Sequence, residues 1–283
     1  AEDGGRIRYS TDGGATWNFA TTPEDSNPTN PNKDGASQGI LDVYFLPESQ
    51  DPNIGWACGV GGHVLKTTDG GALWNHVNPS EPVIENDKNE PAVLWRVRFL
   101  NEQIGFVAGL WTFRFTSDGG QNWNTVPALS EFKPLNNPGT SFDLSKFEFY
   151  SLELMGTADN FVGNLGGQFW PSGESGPPGY SFVFHTESAD LDSQQGLRWW
   201  VTYSPSSPMM IAPTIQDPWD IEFEDPDSSD PLGHRGYFVG GTGHPDGGIF
   251  STTDSGRSWT PEMGGPGNPV NTMYAVAALD GGK

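Results

Sequence analysis

Alternation of apolar and polar residues is the first pattern along the chain. L-D-V-Y-F-L (41–46), W-R-V-R-F-L (95–100) and W-D-I-E-F-E (219–224) each alternate with a period of two. That period sends successive side chains to opposite faces of an extended strand. Each run is followed by a more continuously apolar one punctuated by glycine: I-G-W-A-C-G-V (54–60), I-G-F-V-A-G-L (104–110) and R-G-Y-F-V-G-G (235–241). These read as second strands, and no stretch carries a helical period. A third strand then enters an octet with a fixed frame. [ST]-x-D-x-G-x-x-W stands at 10–17, 67–74, 116–123 and 252–259. Its tryptophan opens a fourth strand.

The repeating unit is therefore strand, turn, strand, turn, strand, D-x-G turn, strand. A four-stranded antiparallel meander repeated about every 50 residues predicts the blade of a β-propeller. An eroded copy has first, second and third strands at Y-S-L-E-L-M (150–155), N-F-V-G-N-L (160–165) and S-F-V-F-H-T (181–186). It keeps Gly196 and Trp199, but E-S-A-D-L-D-S-Q-Q stands in place of the aspartate turn. The fold class expected is all-β, with residues 1–283 forming one propeller domain. Its blades run over 38–78, 92–128, 147–203 and 218–262. A composite blade made of 1–21 and 270–283 closes the ring and makes five, because M-Y-A-V-A-A-L-D (273–280) matches a first strand. The count rises to six or seven if the chain is a fragment.

Composition supports this reading. The 38 Gly and 24 Pro suit many short strands and turns, and 11 Trp with 17 Phe are too many to leave unburied. The net charge of −22 sets aside nucleic acid and anionic lipid as partners. Cys58 is the only cysteine, so no intramolecular disulfide can form, and its apolar setting predicts a buried thiol. No apolar run approaches the roughly 20 residues of a membrane helix. The chain opens at Ala1 without a methionine, which suggests a removed leader or N-terminal portion.

The octets resemble Asp-box (BNR) repeats, found in sialidases, sortilin-type receptor domains, some glycoside hydrolases and photosystem II assembly-factor propellers. The longer run G-W-A-C-G-V-G-G-H-V-L-K-T-T-D-G-G-A-L-W (55–74) is most similar to the last of these families. The resemblance implies a non-enzymatic, extracytoplasmic propeller that helps assemble or stabilise a membrane complex, in the periplasm or a lumen. Members are said to bind partners through a basic patch, and only 14 Lys and Arg are present here.

Local chemistry assigns the box aspartates Asp12, Asp69, Asp118 and Asp254 to structure. A carboxylate can accept backbone N–H groups one to three residues on, and the glycine supplies a positive φ. The Ser/Thr hydroxyl adds a second local bond. Trp17, Trp74, Trp123 and Trp259 offer large apolar faces for packing between blades. Four copies spread round a ring do not make one active site.

Candidate partner- or ligand-binding residues come from the first strands, which line the axis of a propeller. One column reads Asp42, Arg96, Ser151, Asp220 and Tyr274. Two residues on come Tyr44, Arg98, Glu153, Glu222 and Val276, and the residues between are apolar. This pattern fits a charge network in the channel or a site at its mouth. A sialidase- or xyloglucanase-like hydrolase is the alternative, with Arg96, Arg98 and Arg235 as a triad or Asp220 and Glu222 as the carboxylate pair. Long loops at 21–39, 77–94, 126–146, 166–180 and 204–218 fall on one face. Trp95, Trp111, Phe132, Trp170, Met209, Met210 and Trp219 lie in or beside them. These side chains either form a protein interface or pack back on blade edges. E-D-P-D-S-S-D (224–230) lacks the glycine and terminal glutamate of an EF-hand loop, and His234 and His244 flank no second ligand set. No metal or cofactor is expected. The reading that results is a non-catalytic binding or scaffold protein with a protein partner.

Overall fold

The alternating runs become strands, and a computed structural model shows their pairing. It describes residues 7–23, 39–78, 84–126, 143–170, 180–188, 191–192, 196–197, 199–203, 218–224, 231–241, 248–264 and 275–277. Phe132, Met209, Met210, His244 and Tyr274, and most of the acidic loop after Glu224, lie outside these residues. The chain divides into two units, Ala1–Thr125 and Val126–Lys283.

In the first unit, β1 (Arg8–Tyr9) and β2 (Asn18–Phe19) form a hairpin. β3 (Ile40–Phe45), β4 (Gly55–Gly59), β5 (Val64–Thr67) and β6 (Asn75–His76) follow as a sheet in chain order. β7 (Val93–Phe99), β8 (Gly105–Leu110), β9 (Thr112–Thr116) and β10 (Asn124–Thr125) repeat it, each strand antiparallel to the one before. In the second unit, β11 (Phe147–Thr157), β12 (Asn160–Phe169) and β13 (Tyr180–Glu187) are longer. A small hairpin of β14 (Leu191–Asp192) and β15 (Gly196–Leu197) precedes β16 (Trp200–Tyr203), which completes the sheet beside β13. β17 (Pro218–Phe223), β18 (Gly236–Gly240), β19 (Gly248–Thr252) and β20 (Thr260–Gly264) form the last described sheet. The four-stranded meander expected from the repeat is thus present four times, the eroded copy included.

Strand alternation explains the core. Trp56 and Cys58 of β4 face the next sheet, where they pack with Leu94, Val97 and Phe99. Trp56 stacks on Phe99 with ring centroids 3.7 Å apart and planes 5° from parallel. Ala57, between them, faces the other way and joins Leu65, Trp74, Ile7 and Ala20. In the second unit Met155, Val162 and Val183 meet Ile221, Phe223, Phe238 and Phe250. The lone Cys58 is fully buried, and burial raises its thiol pKa well above the usual value, as its apolar run predicts.

Each of the four described first strands carries a bulge that the residue pattern did not announce. The ladder skips Leu41, Trp95, Tyr150 and Trp219, one residue before Asp42, Arg96, Ser151 and Asp220. The residues facing the bulges on the second strands are Gly59, Gly109, Gly167 and Gly240. A Cβ on Gly109 would lie 2.9 Å from the Leu94 Cα and closer still to the Val93 carbonyl oxygen. The leading glycines of β4 and β8 have a different reason. A Cβ on Gly55 would stand 2.7 Å from the Phe45 ring, and one on Gly105 2.5 Å from the Phe99 ring. The two glycines that frame β4 and β8 therefore admit, in turn, an aromatic ring and a bulged backbone.

Candidate functional site

The four Asp boxes share one geometry. The Ser10, Thr67, Thr116 and Thr252 hydroxyls donate to the box carboxylate and accept the amides of Gly14, Gly71, Gly120 and Gly256. Asp12 accepts the Thr16 amide at 2.8 Å, Asp118 that of Asn122 at 2.9 Å, and Asp254 that of Ser258 at 2.9 Å. Asp69 accepts the amides of both Ala72 and Leu73 at 3.0 Å. The reach is three to four residues, not the one to three that the sequence suggested. Two consecutive left-handed residues cause this: Gly13–Gly14, Gly70–Gly71, Gly119–Gly120 and Ser255–Gly256 all have positive φ. They fold the chain back until the fourth amide reaches the carboxylate. Every box carboxyl is correspondingly held below its usual pKa. For Asp12 the Thr16 hydroxyl contributes most, and the value falls to about 2. For Asp118 and Asp254 burial is the largest single influence and opposes the shift, but the summed hydrogen bonds outweigh it. Carboxylates held ionised in this way are turn clamps and poor proton donors.

The boxes also join neighbouring sheets. The Gln121 side-chain amide donates to the Val77 carbonyl, and Asn78 donates back to the Gln121 carbonyl. Arg257, at the same box position, grips Glu187 with two nitrogens. The box tryptophans differ among themselves. Trp74 is buried, while Trp123 packs edge-on to Phe99 and Trp259 edge-on to Phe238. Trp17 departs from the expected packing: it is 57% exposed, with its Nε1 donating to the Gly14 carbonyl.

The first-strand columns serve mainly as links between strands. In the first unit, Asp42 reaches across to β7, where its Oδ2 accepts the Val97 amide at 2.9 Å and the Arg98 guanidinium at 2.7 Å. Arg98 also lies 5.4 Å from the Tyr44 ring centroid. Arg96 donates to the carbonyl of the bulged Trp95. Asp42 and Arg98 thus form one well-covered ion pair. In the second unit, Asp220 repeats half of the device and accepts the Val276 amide at 3.0 Å. By that bond Val276 takes the place of Val97, one residue later than the alignment of first strands put it. Ser151 instead donates to the Pro218 carbonyl, Glu153 is buried and Glu222 half-buried. The intervening Val97, Leu152 and Ile221 are buried as alternation requires, but Val43 is 39% exposed.

Trp111 is set apart by its backbone. It alone turns β8 into β9, with φ of 54°, where the corresponding turn after β4 uses Gly61 and Gly62. A bulky residue in this region is strained by about 1–3 kcal/mol. A built loop holds it there. The Asp87 amide donates to the Trp111 carbonyl, Arg114 bonds Asp87 and the Glu85 carbonyl, and the Lys88 ammonium sits over the Trp111 ring. In the second unit, Trp170 follows β12, and the bulged Trp219 packs on Tyr150 with centroids 4.3 Å apart. Trp219 also donates to the Gly241 carbonyl.

A network that sequence reading missed lies in the second unit. Glu153, Asn164 and His185 stand opposite one another on β11, β12 and β13. The fully buried His185 ring contacts Asn164 Oδ1 through Nδ1 and Glu187 Oε1 through Nε2, each at 3.1 Å. Burial, the largest influence, pulls the His185 pKa below the ordinary histidine value, and Glu187 pushes it back up. The available signal was a histidine inside the apolar run S-F-V-F-H-T. Among the described residues no three His, Cys, Asp or Glu side chains gather to hold a metal ion. His234 takes part through its backbone, bonding to the buried Ser255. No helix among the described residues is long and apolar enough to cross a membrane.

Comparison with known proteins fits this geometry. The family model described as photosynthesis system II assembly factor YCF48 matches residues 24–158, which include the boxes of Asp69 and Asp118. The chain is an Asp-box propeller similar to the photosystem II assembly factors. The photosystem II assembly lipoprotein Ycf48 of Synechocystis sp. (strain ATCC 27184 / PCC 6803 / Kazusa) is 33% identical over 107 residues, or 38% of this chain and 25% of that protein. The chloroplastic photosystem II stability/assembly factor HCF136 of Arabidopsis thaliana is 30% identical over 106 residues, covering 38% and 21%. The match thus spans a quarter or less of these relatives' length. Among solved structures, the Niastella koreensis GH74 enzyme superposes with a TM-score of 0.51 at 17% identity, covering 91% of this chain and 34% of that one. That likeness concerns the fold alone.

Proposed function

We propose that this Asp-box propeller is a non-catalytic binding protein that acts in the assembly of a membrane-embedded photosynthetic complex. The observation that carries this reading is the use made of its carboxylates. The four box aspartates, Asp42 and Asp220 are each committed to backbone amides, as a scaffold requires. The alternative, a hydrolase using Asp220 and Glu222, needs a free carboxylic acid at the reacting bond, whereas Asp220 is engaged with the Val276 amide. The similarity to two photosystem II assembly proteins supplies the biological setting. One of those relatives is a lipoprotein and the other chloroplastic, which supports a location outside the cytoplasm.

For the first unit we assign Trp111 as the partner anchor, with the Lys88 ammonium over its ring. A strained aromatic held by a dedicated loop is the kind of residue retained for contact rather than stability. For the second unit Trp170 and Trp219 are the corresponding candidates. The test uses the whole chain as bait for detergent-solubilised photosynthetic membranes. Wild type should retain a photosystem II assembly intermediate. Trp111→Ala should weaken capture about thirtyfold, as for a hot spot of about 2 kcal/mol. Capture unchanged in Trp111→Ala would remove that residue from the site. Glycoside turnover abolished by Asp220→Asn would overturn the scaffold reading itself.

A further inference from the structure

The buried histidine network carries a second conclusion, independent of the partner. The eroded blade has kept its box threonine as Thr186, but no aspartate follows it two residues on. Instead Glu187, the last residue of β13, bonds the Arg257 of the next sheet's Asp box. Behind Glu187 stands His185, and behind His185 stands Asn164.

The proton inventory of this chain is constrained. Asn164 Nδ2 donates to the Ser255 carbonyl at 3.0 Å, which fixes the amide with its oxygen toward the imidazole. Glu187 is held below its usual pKa, chiefly by Arg257, and so remains an acceptor. Both ring nitrogens of His185 therefore face acceptors. A neutral imidazole has one N–H and would leave the fully buried ring with a lone pair against one of these oxygens. An imidazolium satisfies both. We propose that His185 is held as an imidazolium, so that Asn164, His185, Glu187 and Arg257 form a proton-dependent latch fastening β12 and β13 to the Asp box at 252–259.

The charged groups around the ring fit this state. Glu187 lies on its own strand, Asp254 and Arg257 on the box turn, and Glu153 one strand beyond Asn164 in the same row. His234 meets the box through its backbone, which bonds the Ser255 hydroxyl and amide. The ring thus has Glu187, Asp254 and Glu153 on its negative side against Arg257. Burial is the largest influence on the ring and by itself sets its pKa below the ordinary histidine value; in the proposed latch the two facing acceptors, Asn164 Oδ1 and Glu187 Oε1, outweigh it. The latch takes over from the lost aspartate clamp, and it opens when the proton leaves. A folded-state pKa above the unfolded value near 6.5 adds stability that is fully present below about pH 6.5 and is lost as pH rises through the folded value. The second unit is therefore fastened more tightly in an acidic compartment than in an alkaline one.

Nitrogen-detected NMR of the whole chain reads the ring directly. At pH 7 His185 should show protons on both nitrogens. In Glu187→Gln, which keeps the shape and removes the charge, it should show one. The folding equilibrium of wild type should fall about tenfold from pH 6 to pH 9 relative to His185→Gln, equivalent to one unit of pKa. A singly protonated His185 at pH 7 in wild type overturns the proposal, and so does a pH slope that His185→Gln retains.

Discussion

Replacing Gly109 by alanine probes the bulge shared by the four described first strands. The new Cβ would lie 2.9 Å from both the Val93 carbonyl carbon and the Leu94 Cα, with the Val93 oxygen nearer still. All three are backbone atoms of β7, so no side-chain rotation relieves the clash. Relief requires β7 to move off β8 around the Leu94–Gly109 pair. That motion disturbs Leu94 and Val97, both fully buried against the neighbouring sheet. Overpacking of this kind costs about 1–3 kcal/mol. One or two weakened ladder hydrogen bonds add about 1 kcal/mol each. The expected loss is about 3–4 kcal/mol. Gly13→Ala is the control, because nothing lies within 4 Å of its new Cβ and only its φ of 70° opposes the change. That costs about 1–2 kcal/mol. Urea unfolding of both variants, followed by tryptophan fluorescence, measures the difference. A Gly109→Ala protein within 1 kcal/mol of wild type, or no worse than Gly13→Ala, would refute the steric account of the paired glycines.

Two further outcomes follow from the clamps and the ion pair. The Asp12 carboxyl should titrate at about 2 by carbon NMR, because its hydrogen bonds stabilise the ionised form. Its folded pKa is depressed, so its support for the hairpin is present above the unfolded value near 3.9 and is lost as pH falls toward 2; titration at an ordinary aspartate value would contradict the clamp geometry. Arg98→Ala should destabilise by about 2 kcal/mol in the same urea assay, since it strips a charged hydrogen bond from a largely covered Asp42 and loses packing on Tyr44. A change below 0.5 kcal/mol would show that the Val97 amide alone satisfies Asp42.

Much of the site chemistry was legible because the repeat is local. The octet fixes a turn whose donors and acceptors all lie within a few residues, so Asp69 and Thr67 could be assigned to structure without a fold. Trp111 was legible as an aromatic in a loop region, but its strain was not. That depends on the loop at 84–92 meeting the turn between β8 and β9. Asp42 and Arg98 looked like channel charges because alternation places them on one side of their strands. Only the crossing from β3 to β7 shows that the carboxylate bonds a neighbour's backbone. The His185 chain was invisible for the same reason. Asn164, His185 and Arg257 are far apart in sequence, and only Arg257 belongs to a recognisable motif, the box at 252–259.

By itself the sequence determined the class of the protein. Period-two alternation and the repeated D-x-G turn specify short antiparallel strands, since both act within one strand or one turn. The glycines of I-G-W-A-C-G-V were visible, but their purpose was not. Tertiary structure decided that one admits the Phe45 ring and the other a bulged backbone. It also decided that Trp74 is buried while Trp17 is exposed, though both belong to the same octet. The physical reason is common to all of these. Burial and close approach depend on what a neighbouring sheet presents, and a local pattern cannot encode its own surroundings.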